Sequence, residues 1–521
     1  MGFALPWFES RSYHHFPARR PERSPAVGGC GRAGIALHGT EMPTLPTGAW
    51  DVLPTSITPY LFTIGGFLLA VFAIARLLSE RRQPSNTLAW LLIIVLLPYV
   101  GVPLYLLIGR RKLQRVARRR SHIAASRRVV RQSPVLPPPC STAQTINQTG
   151  AGVVTGGNHV EFISDGEQAF QTFLEHIRSA RREIHITTFI LSRDAVGRLL
   201  VDALAEKARQ GVKVRLLLDG VGSLFASFGF CQPLREAGGE VVRFLPVLPL
   251  TSRGYANLRN HRKIAVFDRA TAIVGGHNLA QHYMGPKPWR KRFADFGAVL
   301  RGPAVIELND VFLTDWCFAS RQSYTALQER WTEPAPPPAG DSILQVVPSG
   351  PDLDGDPLYD GVLSMIQEAE ASIWIVTPYF IPDEVLQRSL IVKARAGCDV
   401  TVIVPARSNH PITDFARRHY LRELQKAGAR VMLFQPGMLH SKGVIIDYRI
   451  GLVGSANFDM RSLFLNFEIS VLVYSPGDVA GMRNWARSLI ERCRPAPQDR
   501  RRERPLRTMA EDLSRLLAPL L

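Results

Sequence analysis

The sequence predicts an α/β fold built from two similar halves and preceded by a pair of apolar helices. Three observations carry this. A signature is written twice: His261-Arg262-Lys263, then four residues and Asp268, and His440-Ser441-Lys442, then four residues and Asp447. Each copy runs on to a small-residue turn and an Asn, Gly275-Gly276-His277-Asn278 and Gly454-Ser455-Ala456-Asn457. The offset is the same at the His and at the Asn (440 − 261 and 457 − 278 both give 179). Around each copy, helical patterns alternate with short apolar strand patterns, which argues for a mixed or mostly parallel sheet in each half. Two long uncharged apolar stretches lie ahead of both copies.

Residues 1–50 have no period and contain Pro, Gly and Arg, so an extended, disordered segment is expected, with Met42 a second candidate start. Residues 57–108 read as a two-span transmembrane helical hairpin. Ile57 to Ala75 is apolar and uncharged, and Leu88 to Ile108 gives 21 residues without a charge, roughly 30 Å as a helix. Arg76 to Thr87 is the short polar loop between them. Pro98, Gly101 and Pro103 weaken the second span, for which a re-entrant helix is the alternative. Residues 109–150 form a basic and Pro-rich linker. Gly109 to Gln132 holds ten Arg or Lys and no acid, which suits anionic headgroups and places the following halves in the cytoplasm.

The first half covers 151–330 and the second 342–490, with a Pro-rich linker at 331–341. Ala180 to Leu191 parallels Ala369 to Ile381, and Val212 to Asp219 and Cys398 to Pro405 are further apolar strands. Residues 491–521 form a basic tail ending in a Leu-rich terminal helix. The chain carries a formal charge of +19 and six scattered cysteines without C-x-x-C spacing. The charge suits an anionic membrane surface or nucleic acid. The spacing points to reduced thiols.

The motif carries the chemistry. As one buried strand, His261 to Asp268 puts His261 and Lys263 on one face and Asp268 on the other; the same holds for His440, Lys442 and Asp447. Each Asp is then expected to hold neighbouring backbone. One His can attack phosphorus and the other can protonate a leaving alkoxide. Lys263, Lys442, Asn278 and Asn457 supply donors where negative charge sits. No further His, Cys or carboxylate lies at ligand spacing near either motif, so neither a metal nor another cofactor is expected.

At these residues the chain resembles the phospholipase D superfamily and, within it, the bacterial cardiolipin synthases. The matching wording is Arg259-Asn260-His261-Arg262-Lys263-Ile264, Gly275 to Asn278 with Tyr283, Thr377 to Asp383, Leu439 to Lys442, Gly454 to Ser462, and Asn466-Phe467-Glu468. Trp289-Arg290-Lys291-Arg292 intervenes before Asp295, where the family has Trp-Arg-Asp. The resemblance implies two phospholipase D-like halves packed as a pseudo-dimer. It implies a catalytic set of His261, Lys263, Asp268, His440, Lys442 and Asp447, with Asn278 and Asn457 binding substrate. It implies an inner-membrane enzyme with a cytoplasmic catalytic body. Phosphatidylglycerol is the expected donor and acceptor, and a phosphatidyl group rests on one His, His261 by the family's order. The residues alone leave open which His attacks, and leave the oligomeric state open. The rivals are a hydrolytic phospholipase D using water as acceptor, a nuclease, and a non-catalytic lipid-binding membrane protein. The apolar spans and the lack of an aromatic-interleaved basic groove weigh against nucleic acid.

Overall fold

The computed structural model describes residues 58–78, 84–108, 135–226, 229–246, 258–328, 336–353 and 355–497. The expected disordered N-terminal segment, the basic run from 109 to 132, residues 331–335 of the linker and the terminal helix lie outside these.

Residues up to Pro103 form a unit of their own. Helix α1 (Thr58–Leu78) is 21 residues long. The expected second span is divided into α2 (Pro84–Leu96) and α3 (Pro98–Ile108). The cause is Pro98, which has no N–H to continue the ladder. The chain turns through Leu97, whose carbonyl accepts from Val100 at 3.0 Å and from Gly101 at 2.6 Å. A side chain at Gly101 would meet the Ile93 carbonyl oxygen at 2.5 Å, so the tight bend requires Gly. Among the described residues no helix is long and apolar enough to cross a membrane. The unbroken span expected over Leu88 to Ile108 is thereby corrected. Large apolar side chains are nevertheless exposed along α1 and α2, among them Phe67 at 67% and Leu96 at 71%.

The next described helix after α3 is α4 (Ser141–Gln148). The first half then runs β1 (Val154–Ile163), α5 (Gly166–Ser179), β2 (Glu183–Thr188), α6 (Ala195–Arg209), β3 (Lys213–Asp219), α7 (Gln232–Glu236), β4 (Glu240–Phe244), β5 (Ile264–Phe267), β6 (Thr271–Gly275), β7 (Gly297–Arg301), α8 (Ala304–Ser320) and α9 (Tyr324–Gln328). The second runs β8 (Ser342–Ser349), α10 (Pro357–Glu368), β9 (Ser372–Val376), β10 (Phe380–Ile381), α11 (Glu384–Arg395), β11 (Asp399–Pro405), α12 (Pro411–Lys426), β12 (Arg430–Phe434), β13 (Gly443–Ile446), β14 (Ile450–Gly454), β15 (Phe458–Asp459), α13 (Met460–Phe464), β16 (Glu468–Val473), α14 (Pro476–Ile490) and β17 (Cys493–Pro495).

The halves repeat one topology. Strands β2, β3 and β4 are parallel neighbours, as are β9, β11 and β12. Strand β5 pairs antiparallel with β2, Ile264 opposite Thr187, and β13 with β9, Gly443 opposite Val376. Each sheet is therefore mixed, and β1 with β8 joins the two into one 15-stranded sheet. All residues of β2 and β9 are buried, as expected of strands covered on both faces. Aspartates cap the helices that follow these strands: Asp194 accepts from Gly197 at 2.8 Å, and Asp383 from Leu386 at 3.2 Å. Within the segment expected as linker, Thr142 of α4 donates to Glu368 of α10 at 2.7 Å, fixing α4 to the second half.

Candidate active site

Both His-x-Lys tripeptides lie just ahead of their strands. The sequence suggests one strand from His261 to Asp268, but the ladder starts at Ile264, and in the second copy at Gly443. The reason is that the tripeptides pair with the opposite half instead. His261 N–H donates to Phe467 O at 2.9 Å, and Phe467 N–H to Arg259 O at 2.9 Å. On the other side, Ala294 N–H donates to Met438 O at 2.9 Å and His440 N–H to Ala294 O at 2.7 Å. The two motifs therefore meet where the halves join.

The side chains cross the same junction. His261 Nδ1 lies 2.9 and 3.0 Å from the two carboxylate oxygens of Glu468, in the second half. His440 Nδ1 lies 2.7 Å from Asp295 Oδ2, in the first half. Each half thus supplies the acid that orients the other half's imidazole. A carboxylate on Nδ1 keeps that proton in place and leaves the Nε2 lone pair for chemistry. The histidines are 9% and 5% exposed and both acids are buried, so the pairs work away from bulk water. Asp295 and Glu468 stand at equivalent places, one ahead of β7 and one at the head of β16. Ser455 Oγ also donates to Glu468 Oε2.

The lysines sit beside their own histidines. Lys263 Nζ donates to His261 O at 2.8 Å. Lys442 Nζ donates to His440 O and lies 3.0 Å from His440 Nε2. Burial pushes Lys263 down to about 7, against the pull of Glu468 and with the help of Lys442. Burial likewise pushes Lys442 down to about 8, although Asp295 and Glu468 pull it up. His261 is lowered by burial, opposed by Glu468 and reinforced by Lys263. His440 is driven to about 3 by burial and Lys442, against Asp295. Burial raises the Asp295 and Glu468 carboxyls, but the facing His and Lys charges outweigh it and hold both below the usual carboxylate range. Each imidazole feels the lysine of the other copy, so the four groups share one field. An anionic phosphodiester entering that field raises the affinity of all four for protons.

Aromatic rings wall the pair. Phe189 meets His261 edge-on at 5.0 Å, and Tyr283 meets His440 at 4.9 Å. Asn278 uses Oδ1 to accept from Ile190 N–H at 3.0 Å, while its Nδ2 is buried without a hydrogen-bond partner among the described residues. Asn457 is buried with its amide toward Asp459. Asp459 caps α13 by accepting from Ser462 N–H at 2.7 Å, and burial raises its carboxyl to about 6.

Asp268 and Asp447 lie at the far ends of β5 and β13 from the histidines. Asp268 accepts from the N–H groups of Arg181, Arg182 and Glu183 at 2.7 to 2.9 Å. Asp447 accepts from Glu370, Ala371 and Ser372 at 2.7 to 3.1 Å. Both have left-handed backbone, φ 52° and 53°. They fix the turns into β2 and β9, the backbone-holding part expected of each Asp, at the opposite ends of the motif strands from the histidines. Sequence reasoning gave no role to Glu468 and Asp295. The signal was present, since a catalytic imidazole needs an orienting acid, and each half carries one ahead of its next strand.

Comparison with known proteins decides the family. A model described as "Cardiolipin synthase, PLD-like domain" matches residues 173–310 and 362–490, both halves. The major cardiolipin synthase of Bacillus subtilis (strain 168) is 35% identical over 490 residues, 90% of this chain and 99% of that protein. The chain belongs to the cardiolipin synthase family of phospholipase D-like proteins. It is a phosphatidyltransferase of the cardiolipin synthase type. A cardiolipin synthase of Geobacillus kaustophilus (strain HTA426) is 34% identical, covering 87% of this chain and 92% of its own length. Residues 68–110 match a model described as "Phospholipase_D-nuclease N-terminal". The crystal structure of phosphatidylserine synthase from Haemophilus influenzae Rd KW20 shares the fold, with a TM-score of 0.55 at 15% identity, covering 73% of this chain and 99% of that one.

Proposed function

We propose that this phosphatidyltransferase works by two displacements at phosphorus, with phosphatidylglycerol as both donor and acceptor. The reciprocal pairs, His261 with Glu468 and His440 with Asp295, carry the reading. In the first step His261 Nε2 attacks phosphorus; the N–P bond forms, the bond to the glycerol oxygen breaks, and protonated His440 gives that oxygen its proton. In the second step a hydroxyl of the second lipid's headgroup gives its proton to His440. Its oxygen attacks phosphorus, and the N–P bond breaks. Cardiolipin and glycerol result. Lys263 and Lys442, with the amides of Asn278 and Asn457, stabilise the equatorial oxygens. The order of the histidines follows the family; the geometry of the two pairs is alike.

A membrane seat accompanies this reading. The exposed apolar side chains of α1 and α2 suit a lipid environment better than water. The ten basic residues after Ile108 suit anionic headgroups and a cytoplasmic body. We place α1 and the kinked α2–α3 pair in the bacterial inner membrane as a multi-pass anchor. Thiol labelling of an engineered Ser133→Cys from the periplasmic side would refute the orientation.

The deciding experiment gives purified protein phosphatidylglycerol liposomes and identifies the lipids by mass. Cardiolipin and glycerol in equal amounts are expected. Phosphatidic acid as the main product would instead mark a hydrolase.

A further inference from the structure

Arg262 stands between His261 and Lys263 but faces away from them. It is 1% exposed, and its guanidinium holds three partners. Nη1 lies 2.6 Å from Asp315 Oδ1 on α8 of the same half. Nε donates to the backbone oxygen of Glu468 at 2.9 Å, and Nη2 to that of Ser349 at 2.9 Å. Glu468 and Ser349 are register partners on β16 and β8 of the second half, so one fork grips both strands at the position where Glu468 begins. Asn260 completes the anchor: its Nδ2 donates to Asp315 Oδ2 at 2.9 Å, and its Oδ1 accepts from Arg262 N–H at 3.1 Å. The residues on both sides of His261 thus hold one carboxylate. This matters because 261–263 lie outside the β5 ladder and, among the described residues, are held by backbone only through the bond from His261 N–H to Phe467 O.

These bonds close a ring. His261 is covalently joined to Arg262, Arg262 holds the main chain of Glu468, and the Glu468 carboxylate holds His261 Nδ1. The second motif closes a lighter ring, without a buried cation or an anchoring carboxylate on its middle residue. Ser441 takes the middle place there, and its hydroxyl donates at 3.1 Å to the backbone oxygen of Ala294, the residue before Asp295. We propose that Arg262, anchored by Asp315, is a positioning residue that fixes Glu468 of the second half against His261, a task that falls to the Ser441 hydroxyl at the His440–Asp295 pair. The inference rests on the reading that His261 reacts through Nε2. A bidentate, planar guanidinium suits the task, because an ammonium cannot span two carbonyls and a carboxylate at once.

The test is a double-mutant cycle of Arg262→Lys and Glu468→Gln, assayed on phosphatidylglycerol vesicles with thermal unfolding followed in parallel. If Arg262 acts through Glu468, R262K lowers kcat roughly 10–100-fold, the scale typical of a lost orienting partner. KM stays within about twofold, and the double variant is little worse than E468Q alone. The acidic limb of kcat/KM moves to lower pH in all three variants. Glu468 favours the His261 imidazolium, while Lys263 and Lys442, which oppose it, remain in place. Additive losses, or an unmoved acidic limb, would overturn the proposal. So would a loss that follows the unfolding temperature alone. If R262K does not fold, Asp315→Asn is read the same way, since it frees the anchor but keeps the guanidinium. The wild-type product assay is scored separately, so a failure of the reaction assignment is not confused with a failure of the clamp.

Discussion

Two buried imidazoles of lowered basicity cannot both be ready for an acid–base exchange in an empty site. His440 in particular is held down to about 3 by burial and Lys442. The phosphodiester itself supplies the missing charge: its negative oxygens favour protonation of His440 and of both lysines. The sign can be worked out for Lys263, which titrates at about 7 when the site is empty. At pH 8 it is mostly neutral, and binding an anion raises its affinity for a proton, so binding takes up protons. At pH 6 it already carries the proton and uptake from this group vanishes. Calorimetry of a non-hydrolysable phosphatidylglycerol analogue in buffers of different ionisation enthalpy should show larger uptake at pH 8 than at pH 6, where His440 still gains a proton but Lys263 already carries one. Equal uptake at both would remove the lysines from the binding face. The same coupling predicts non-additive mutants. His261→Ala and His440→Ala should each cost at least ~10³-fold in kcat, with the double variant little worse than either. Near-additive losses in steady-state rates would separate the two sites. Most of this site was legible in the sequence, because His, Lys and Asn repeat at one offset. Glu468 and Asp295 were not assigned, because their work depends on a contact across the junction that no local spacing encodes.

Among the elements, period and punctuation gave the strands β2, β3, β9 and β11, all fully or almost fully buried although β2 and β3 carry several polar residues. The motif strands came out short for a reason outside the sequence pattern. An apolar run after a polar start reads as one strand, but the polar start is drawn into the opposite half's backbone. Pro98 acted in the reverse direction: it is visible in the sequence, and the break it causes ends α2 at Leu96. The turns after β5 and β13 offer the cleanest test at this scale. Asp447 ties three consecutive N–H groups, so Asp447→Asn, which tolerates the left-handed backbone, loses part of that net. It should lower stability by about 1–3 kcal/mol while kcat stays within roughly threefold. A collapse of kcat in a fully folded D447N protein, as read by circular dichroism and activity on the same sample, would place Asp447 in the chemistry.

At the scale of the whole molecule, the duplication explains why the chain must hold both halves. Neither His has its acid within its own half, so a half cannot assemble one working imidazole. The junction is also where β1 pairs with β8, which makes a single continuous sheet. A site completed within one chain makes a prediction about mixtures. His261→Ala protein retains a sound His440–Asp295 pair, and His440→Ala protein retains a sound His261–Glu468 pair. Chains that exchanged halves would bring these together and restore a wild-type site in a fraction of the mixed molecules. Chains that close on themselves would not. Because residue 342, where β8 begins, follows the last described residue of α9 by only a short Pro-rich stretch, and β8 pairs at once with β1, each chain is expected to close on itself. Co-expression of the two full-length variants should therefore give no more cardiolipin than either alone. Recovery of activity well above the singles, together with a dimer on sedimentation, would show that halves are traded between chains.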